Sequence, residues 1–345
     1  MTALASAIDL FERAPAPDLV TRLGIDVLVG AARRRLAQAR DDVERTFARQ
    51  MAARPIAENT REANEQHYEL PAAFFSLVLG PRRKYSSCLY VAADDTLADA
   101  ERNALEATCG HAALVDGQDV LELGCGWGSL SLWMAEHYPR SRIVSVSNSV
   151  SQRAFIEGRA KALGLNNLRV ITADMNRFAP PADQPFDRIV SVEMFEHMAN
   201  WPALLARAKG WLKPDGRLFL HVFTHRDTPY RFDANDPSDW IARYFFTGGV
   251  MPSHGLVHQF GDIFEVEQDW RWGGEHYRRT AEHWLANFDR NRAQIDRVLK
   301  QVYGGEAALW ARRWRLFFLS VSGLFGHAGG QVWGVSHYLL RPMEA

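Results

Sequence analysis

Between Asp116 and Thr224 the chain alternates short apolar runs with longer stretches whose apolar residues recur at helical spacing. That alternation predicts a parallel sheet with crossover helices, because a strand covered on both faces needs an unbroken apolar run and its connection needs an amphipathic helix. The runs place strands at Asp119–Leu123, Arg142–Ser147, Leu168–Thr172, Phe186–Val192 and Arg217–Phe223. Ahead of them, Val27 to Ala53 reads as a helix closed by Pro55, and Ala63 to Leu79 as a second helical stretch ended by Gly80-Pro81. Beyond Thr224 an aromatic segment punctuated by Gly and Pro runs to about Asp289, followed by a helical tail. No internal repeat interrupts this order.

Open parallel sheets bind ligands beyond the carboxyl ends of their strands. The residues just after the predicted strands, Gly124-Cys125-Gly126, Asn148-Ser149, Asp174-Met175 and Glu193 through His197, therefore form one candidate pocket. In the run Val120 to Ser129, apolar residues lead into glycines that allow a tight turn and close backbone approach, and Ser129 to Glu136 begins a helix whose amino end favours an anion. A dinucleotide fingerprint would put its third glycine or an alanine where Ser129 stands, so NAD fits poorly. Ser147, Asn148 and Gln152 occupy the place where many adenosine-binding folds carry an acidic residue for the ribose, and their hydroxyl and amide groups can serve that role or simply cap a helix. Asp174 can accept from an adenine amino group while Met175 packs on the ring, or the pair can be an ordinary loop.

Glu193-Met194-Phe195-Glu196-His197 carries the sharpest chemistry. Two carboxylates and an imidazole at the mouth of a sheet can tune one another's proton affinity and share general-base work. In a continuing helix Glu193 and His197 would lie on one face. The E-x-x-E-H order matches no zinc spacing, and no metal is expected.

Composition narrows the class further. With 40 basic and 41 acidic residues in 345 and a net charge of −1, no global field favours nucleic acid or an anionic membrane. Arg33-Arg34-Arg35 reads as a solvated helix face. Cys88, Cys109 and Cys125 are too scattered for a disulfide framework and include no C-x-x-C pair, which suits a reducing cytoplasm. The longest apolar stretch, Leu316 to Phe325, is broken by Ser320, Ser322 and Gly323 and is too short for a bilayer, so a soluble cytoplasmic protein without membrane insertion is expected. The amino-terminal helices allow a homodimer without requiring one.

Glu122 ahead of G-x-G-x-G resembles the first motif of class I S-adenosylmethionine-dependent methyltransferases, in which the acidic residue handles the methionine end of the cofactor. His67-Tyr68-Glu69-Leu70, Phe74-Phe75, Lys84-Tyr85-Ser86-Ser87-Cys88, Ser147-Asn148-Ser149 with Gln152, and Glu193 to His197 extend the likeness to the cyclopropane-fatty-acid-synthase superfamily. Asp239-Trp240-Ile241, Arg243 to Gly249, Met251-Pro252-Ser253, Gly274 to Tyr277, Leu316-Phe317-Phe318, Leu324-Phe325-Gly326 and Ser336 to Leu339 make it closer to the coclaurine N-methyltransferase group, over roughly residues 60 to 341.

The resemblance implies a doubly wound, Rossmann-like α/β sheet with amino-terminal helices and a helical, aromatic cap. Residues 1–84 would be a helical extension, 85–224 the cofactor-binding core and 225–345 the substrate cap with its terminal helices. It further implies S-adenosylmethionine as donor and an isoquinoline-like amine as small-molecule acceptor. Glu193, Glu196 and His197 would line the amine site and assist catalysis. Tyr85, Ser86, Glu122, Gly124, Cys125, Gly126, Ser147, Asn148, Gln152, Asp174 and Met175 would hold the cofactor, and Phe245, Phe246, Phe325 and Trp333 would wall a flat or cationic substrate.

One departure separates the branches. The cyclopropane branch places a cysteine two residues after the tyrosine of its Tyr-Ser-Cys motif, as part of a bicarbonate site. Here Ser87 holds that position and Cys88 follows, although Glu196 matches that branch's bicarbonate-binding glutamate. A lipid-modifying relative acting on an unsaturated acyl chain is the second reading, and a non-catalytic cofactor-binding relative the third.

Overall fold

The computed structural model describes residues 12, 16–39, 41–58, 70–181, 184–236 and 239–344. The motif residues His67, Tyr68 and Glu69, and the start of the helical stretch expected at Ala63, lie outside the described residues.

The sheet has seven strands in the order β3-β2-β1-β4-β5-β9-β8. Four of them, β1 (Asp119–Leu123), β2 (Arg142–Ser147), β3 (Leu168–Thr172) and β4 (Phe186–Val192), have the bounds the apolar runs predict. The fifth, β5 (Leu212–His225), extends the predicted Arg217–Phe223 at both ends. These five are parallel. Their crossovers include α5 (Ser129–His137), α6 (Val150–Ala162) and α7 (Trp201–Trp211), which makes the sheet doubly wound as expected. Its strand order reverses between β1 and β4, so the turns leaving those two strands flank the natural ligand crevice.

Before the sheet come α1 (Asp18–Leu36), α2 (Val43–Ala52), α3 (Ala72–Val78) and α4 (Leu97–His111). The single helix expected over Val27 to Ala53 is thus two helices, the first beginning earlier. The break lets each bury a different face: α1 packs on α11 (Ala307–Gly326), while α2 turns Phe47 and Met51 toward α7. Arg33, Arg34 and Arg35 are exposed in the last turn of α1, as a solvated face requires. A Thr96/Asp99 capping box starts α4.

After β5, a two-strand ribbon of β6 (Tyr230–Arg231) and β7 (Val250–Met251) flanks α8 (Trp240–Tyr244). Then follow β8 (Phe264–Gly273), α9 (Gly274–Arg290), α10 (Arg292–Tyr303), α11 and β9 (Trp333–Pro342). The pattern did not reveal β8 or β9. As an edge strand with a register shift between Val266 and Gln268, β8 exposes Glu265, Glu267 and Asp269 and so lacks an apolar run. Its neighbour β9 is buried from Trp333 to Leu340 yet contains Ser336 and His337, which interrupt its apolar signal.

An aromatic core joins α3, α9 and α11 on the cap side, with Phe74, Phe75, Trp284, Trp314 and Phe318 buried together. On the opposite side, Phe47, Met51, Trp201, Leu204 and Leu205 pack beneath the sheet. Together the two cores fix the carboxyl ends of β1 to β5 as the floor of one cavity.

Candidate active site

That cavity holds about 1530 Å³ of space, its open mouth included. The turn after β1 forms one wall. Gly124, Gly126 and Gly128 all have positive φ, at 81°, 50° and 79°. A Cβ on Gly124 would stand 2.5 Å from Met194 Cβ, whereas one on Gly126 would meet no heavy atom within 4 Å. Gly124 is therefore required by packing, and Gly126 leaves bare backbone facing the cavity. Cys125 lines the same wall through a buried segment whose N–H bonds Val146 O at 3.0 Å.

Glu122 is buried at the end of β1 and accepts from the hydroxyls of Ser131 and of Ser145, the latter at 2.7 Å. Burial pushes its carboxyl up to about 7, partly offset by those two hydroxyls. At the end of β2, Ser147 donates to Gln152 Oε1 at 2.6 Å, and Ser149 caps α6. Gln152 Nε2 is left buried without a hydrogen-bond partner among the described residues. A buried amide donor on a cavity wall beside bare glycine backbone fits an adenosine-bearing ligand with hydroxyls to offer. Asn148, Asp174, Met175, Tyr85 and Ser86 line the same space.

Across the crevice, β4 is followed directly by Glu193, whose φ of +46° is a left-handed conformation for a residue with a side chain. That backbone excludes the continuing helix considered from the sequence, and a single 3-10 turn, Phe195–His197, follows instead. The conformation aims the carboxylate at three donors. Glu193 Oε1 accepts from Ser87 N–H at 2.9 Å and from His221 at 3.2 Å, and Oε2 accepts from the Tyr277 hydroxyl at 2.7 Å. Burial raises its proton affinity, while the nearby Lys84 ammonium and the hydrogen bonds from Ser87 and Tyr277 pull it back. Glu196 lies behind the wall, fully buried. Its Oε1 accepts from Phe223 N–H at 2.6 Å, and its Oε2 has no partner among the described residues. Burial, then the Glu193 charge, push Glu196 well above the carboxylate range, which favours its protonated form. His197 faces the cavity with its ring stacked on Phe246 at 4.7 Å, and burial lowers it to about 4.

Three of the four expected aromatic walls are elsewhere. Phe245 is fully buried against Phe317, ring centroids 4.4 Å apart, and only its neighbour Phe246 reaches the cavity. Phe325 is covered by the Tyr277 ring at 4.3 Å. Trp333 opens β9 and donates to the Tyr230 hydroxyl at 3.3 Å. Each is an aromatic residue that the dense cap core absorbs. The residues that do wall the cavity opposite the glycine turn are Phe223, Phe246, Tyr277, Trp284 and Phe317.

Lys84, His221 and Tyr277 complete the site, and none of them stands out in the sequence as a functional residue. Lys84 and Tyr277 stand inside motifs quoted for the resemblance. His221 lies within a predicted strand, and the signal for it is its place toward the carboxyl end of β5, level with Val192 at the end of β4.

Comparison with known proteins agrees with this geometry. The family model for mycolic acid cyclopropane synthetase matches residues 57–333. The (S)-coclaurine N-methyltransferase of Thalictrum flavum subsp. glaucum is 37% identical over 291 residues, covering 83% of this chain and 80% of that protein. The cyclopropane-fatty-acyl-phospholipid synthase of Escherichia coli K12 is 34% identical over 226 residues, which is 65% of this chain and 56% of that one. The crystal structure of coclaurine N-methyltransferase bound to N-methylheliamine and S-adenosylhomocysteine superposes with a TM-score of 0.91 at 32% identity, covering 99% of this chain and 100% of that one. A match of this extent, on a fold whose glycine turn and acidic cluster face one cavity, makes the chain a member of the mycolic acid cyclopropane synthetase family and an S-adenosylmethionine-dependent methyltransferase.

Proposed function

We propose that this enzyme methylates the nitrogen of a small cyclic amine of the isoquinoline type. The observation that carries the reading is Glu193: a buried carboxylate, fixed by three donors on the cavity wall across from the glycine turn and paired with a neutral imidazole. S-adenosylmethionine, bound along Glu122, the glycine turn, Ser147, Gln152, Asp174 and Met175, would supply an electrophilic methyl group there.

An ammonium has no lone pair, so the amine must lose a proton before it attacks. The Glu193 carboxylate attracts the cation into an apolar cavity, and burial there lowers the ammonium's own proton affinity. His197 is neutral above about pH 4 and can accept the proton. Its stacking on Phe246 fixes the ring's plane, while Phe223, Trp284 and Phe317 exclude water and hold the nitrogen in line with the methyl group. No metal or nucleic acid enters this scheme, and we place the enzyme in the cytoplasm, in keeping with its three free, buried cysteines.

The test presents labelled S-adenosylmethionine with a panel of primary, secondary and tertiary cyclic amines and, in parallel, with unsaturated phospholipid vesicles. Label in a secondary cyclic amine and none in lipid is the expected result. Label in the acyl chains alone would establish the lipid reading, and tight donor binding without transfer to any acceptor would establish a non-catalytic one.

A further inference from the structure

Behind Glu193, three histidines run in a line toward the protein surface. His221 on β5 and His337 on β9 are register partners across the antiparallel pair. His337 Nε2 lies 2.8 Å from His221 Nδ1, and His337 Nδ1 lies 2.8 Å from Nδ1 of His111, the last residue of α4. His221 Nε2 closes the line on Glu193 Oε1 at 3.2 Å. His221 and His337 are fully buried, whereas His111 is partly exposed and stacked flat on Trp270 at 3.9 Å.

The geometry supports one order of hydrogens along this line. Ser87 N–H can only donate, and it occupies the same Glu193 oxygen as His221. The Ser87 N–H makes Oε1 the poorer place for a carboxyl proton, whereas the Tyr277 hydroxyl on Oε2 can turn to accept one, so we read Oε1 as the acceptor. His221 must then donate from Nε2, which leaves its Nδ1 to accept from Nε2 of His337. His337 Nδ1 must in turn accept from Nδ1 of His111. Burial disfavours the charged form of all three rings, which suits a chain of neutral imidazoles with one hydrogen each.

We infer that His337 and His111 are positioning residues for the methyl transfer, holding His221 as a donor to Glu193 and thereby keeping that carboxylate ionised and oriented. Donation into one nitrogen of an imidazole makes its other N–H a better donor, so the chain strengthens the bond at its inner end. The remaining charged or titratable groups around Glu193 come from other elements: Lys84 from the loop before α4, Tyr277 from α9, and Glu196 and His197 from the turn after β4. Lys84 bonds to Ser86 and Ser87, Tyr277 to Glu193 and Glu196 to Phe223, so these three do not replace His111 or His221 at His337. The kinetic consequence rests on the proposed role of Glu193 toward an amine, whereas the hydrogen order does not.

Two measurements test the inference. In protein selectively labelled with 15N-histidine, the nitrogen shifts should report His111 as the Nδ1–H tautomer and His221 and His337 as Nε2–H. In kinetics on an amine that the wild type methylates, His337→Leu should move the acid limb of kcat/KM up by about one pH unit, read as about tenfold slower turnover at the acid end with a nearly unchanged alkaline plateau. His337→Gln, whose amide N–H can reach His221, should restore most of that loss. His111→Ala should shift the limb in the same direction by less, and decides the matter if His337→Leu does not fold. An Nε2–H tautomer at His111, an acid limb unmoved by His111→Ala, or a His337→Gln variant as impaired as His337→Leu would overturn the inference. If the wild type methylates no amine, the proposed function falls while the spectra still decide the hydrogen order.

Discussion

Replacing Glu122 by Gln should stabilise the enzyme, and more so as the pH rises. Glu122 is 3% exposed, and its carboxyl is raised by burial to about 7 from a reference of 4.5. The folded state therefore binds the proton more tightly than the unfolded chain does. Below pH 4.5 both states hold it, and that preference contributes fully. Between 4.5 and about 7 the unfolded chain releases its proton first, so stability declines, and above about 7 the loss is complete. The loss amounts to about 3 kcal/mol, of which about 2.5 kcal/mol falls between pH 5 and pH 8.5. Gln mimics the neutral acid, keeps an oxygen for the Ser131 and Ser145 hydroxyls and cannot ionise. The gain of the Gln variant over wild type should thus grow across that range by about 2.5 kcal/mol, or about 3 °C in Tm for a chain of 345 residues. Paired thermal and urea unfolding curves at the two pH values measure it. Stability curves that stay parallel from pH 5 to pH 8.5 would show that Glu122 ionises as freely in the folded protein as in the unfolded one, and would refute the reasoning.

Other substitutions separate packing from chemistry. Gly124→Ala combines a φ of +81° with a Cβ 2.5 Å from Met194 Cβ, and should lower stability by roughly 2–4 kcal/mol in denaturant titration. Gly126→Ala meets no atom within 4 Å, so it should cost only about 1 kcal/mol of stability while weakening S-adenosylmethionine at least tenfold by calorimetry. Glu193→Gln should lower kcat about a hundredfold or more, whereas Glu196→Gln, which copies a group already protonated, should change kcat by less than about threefold; equal losses would place the working charge wrongly. Phe246→Ala should raise the amine KM without altering donor affinity, because its ring orients His197 and walls only the acceptor side.

Much of the fold is written locally. Strands β1 to β4 each carry a short apolar stretch closed by a turn, so their bounds appear in the sequence residue for residue, even though β3 is an edge of the sheet with Arg169 exposed. β8 and β9 do not, because one is an edge with exposed carboxylates and the other is built partly from buried polar residues whose partners are distant. The same division holds for the site. The glycine turn and the Glu193–His197 cluster sit on contiguous residues and were readable as a unit. The three donors that organise Glu193 come from Ser87, His221 and Tyr277, on separate elements, and only folding brings them together. Aromatic residues were the least legible: Phe245 and Phe246 are chemically identical neighbours, and a turn of the backbone after α8 sends one to the core and the other to the cavity.

The position of β9 has a bearing on how the enzyme is made. It follows every other described strand in chain order, yet it sits inside the sheet between β5 and β8. Until it emerges, β5 presents a bare antiparallel edge, and β8 has no strand in the sheet to pair with. A nascent chain can form the glycine turn and the five parallel strands early, but it holds two unsatisfied edges throughout the synthesis of α9, α10 and α11. His337 arrives with β9, so the histidine line behind Glu193 closes in the same step that removes those edges. Closure of the histidine line and protection from edge-to-edge aggregation thus become a single late event, and a chain halted before residue 333 would lack both.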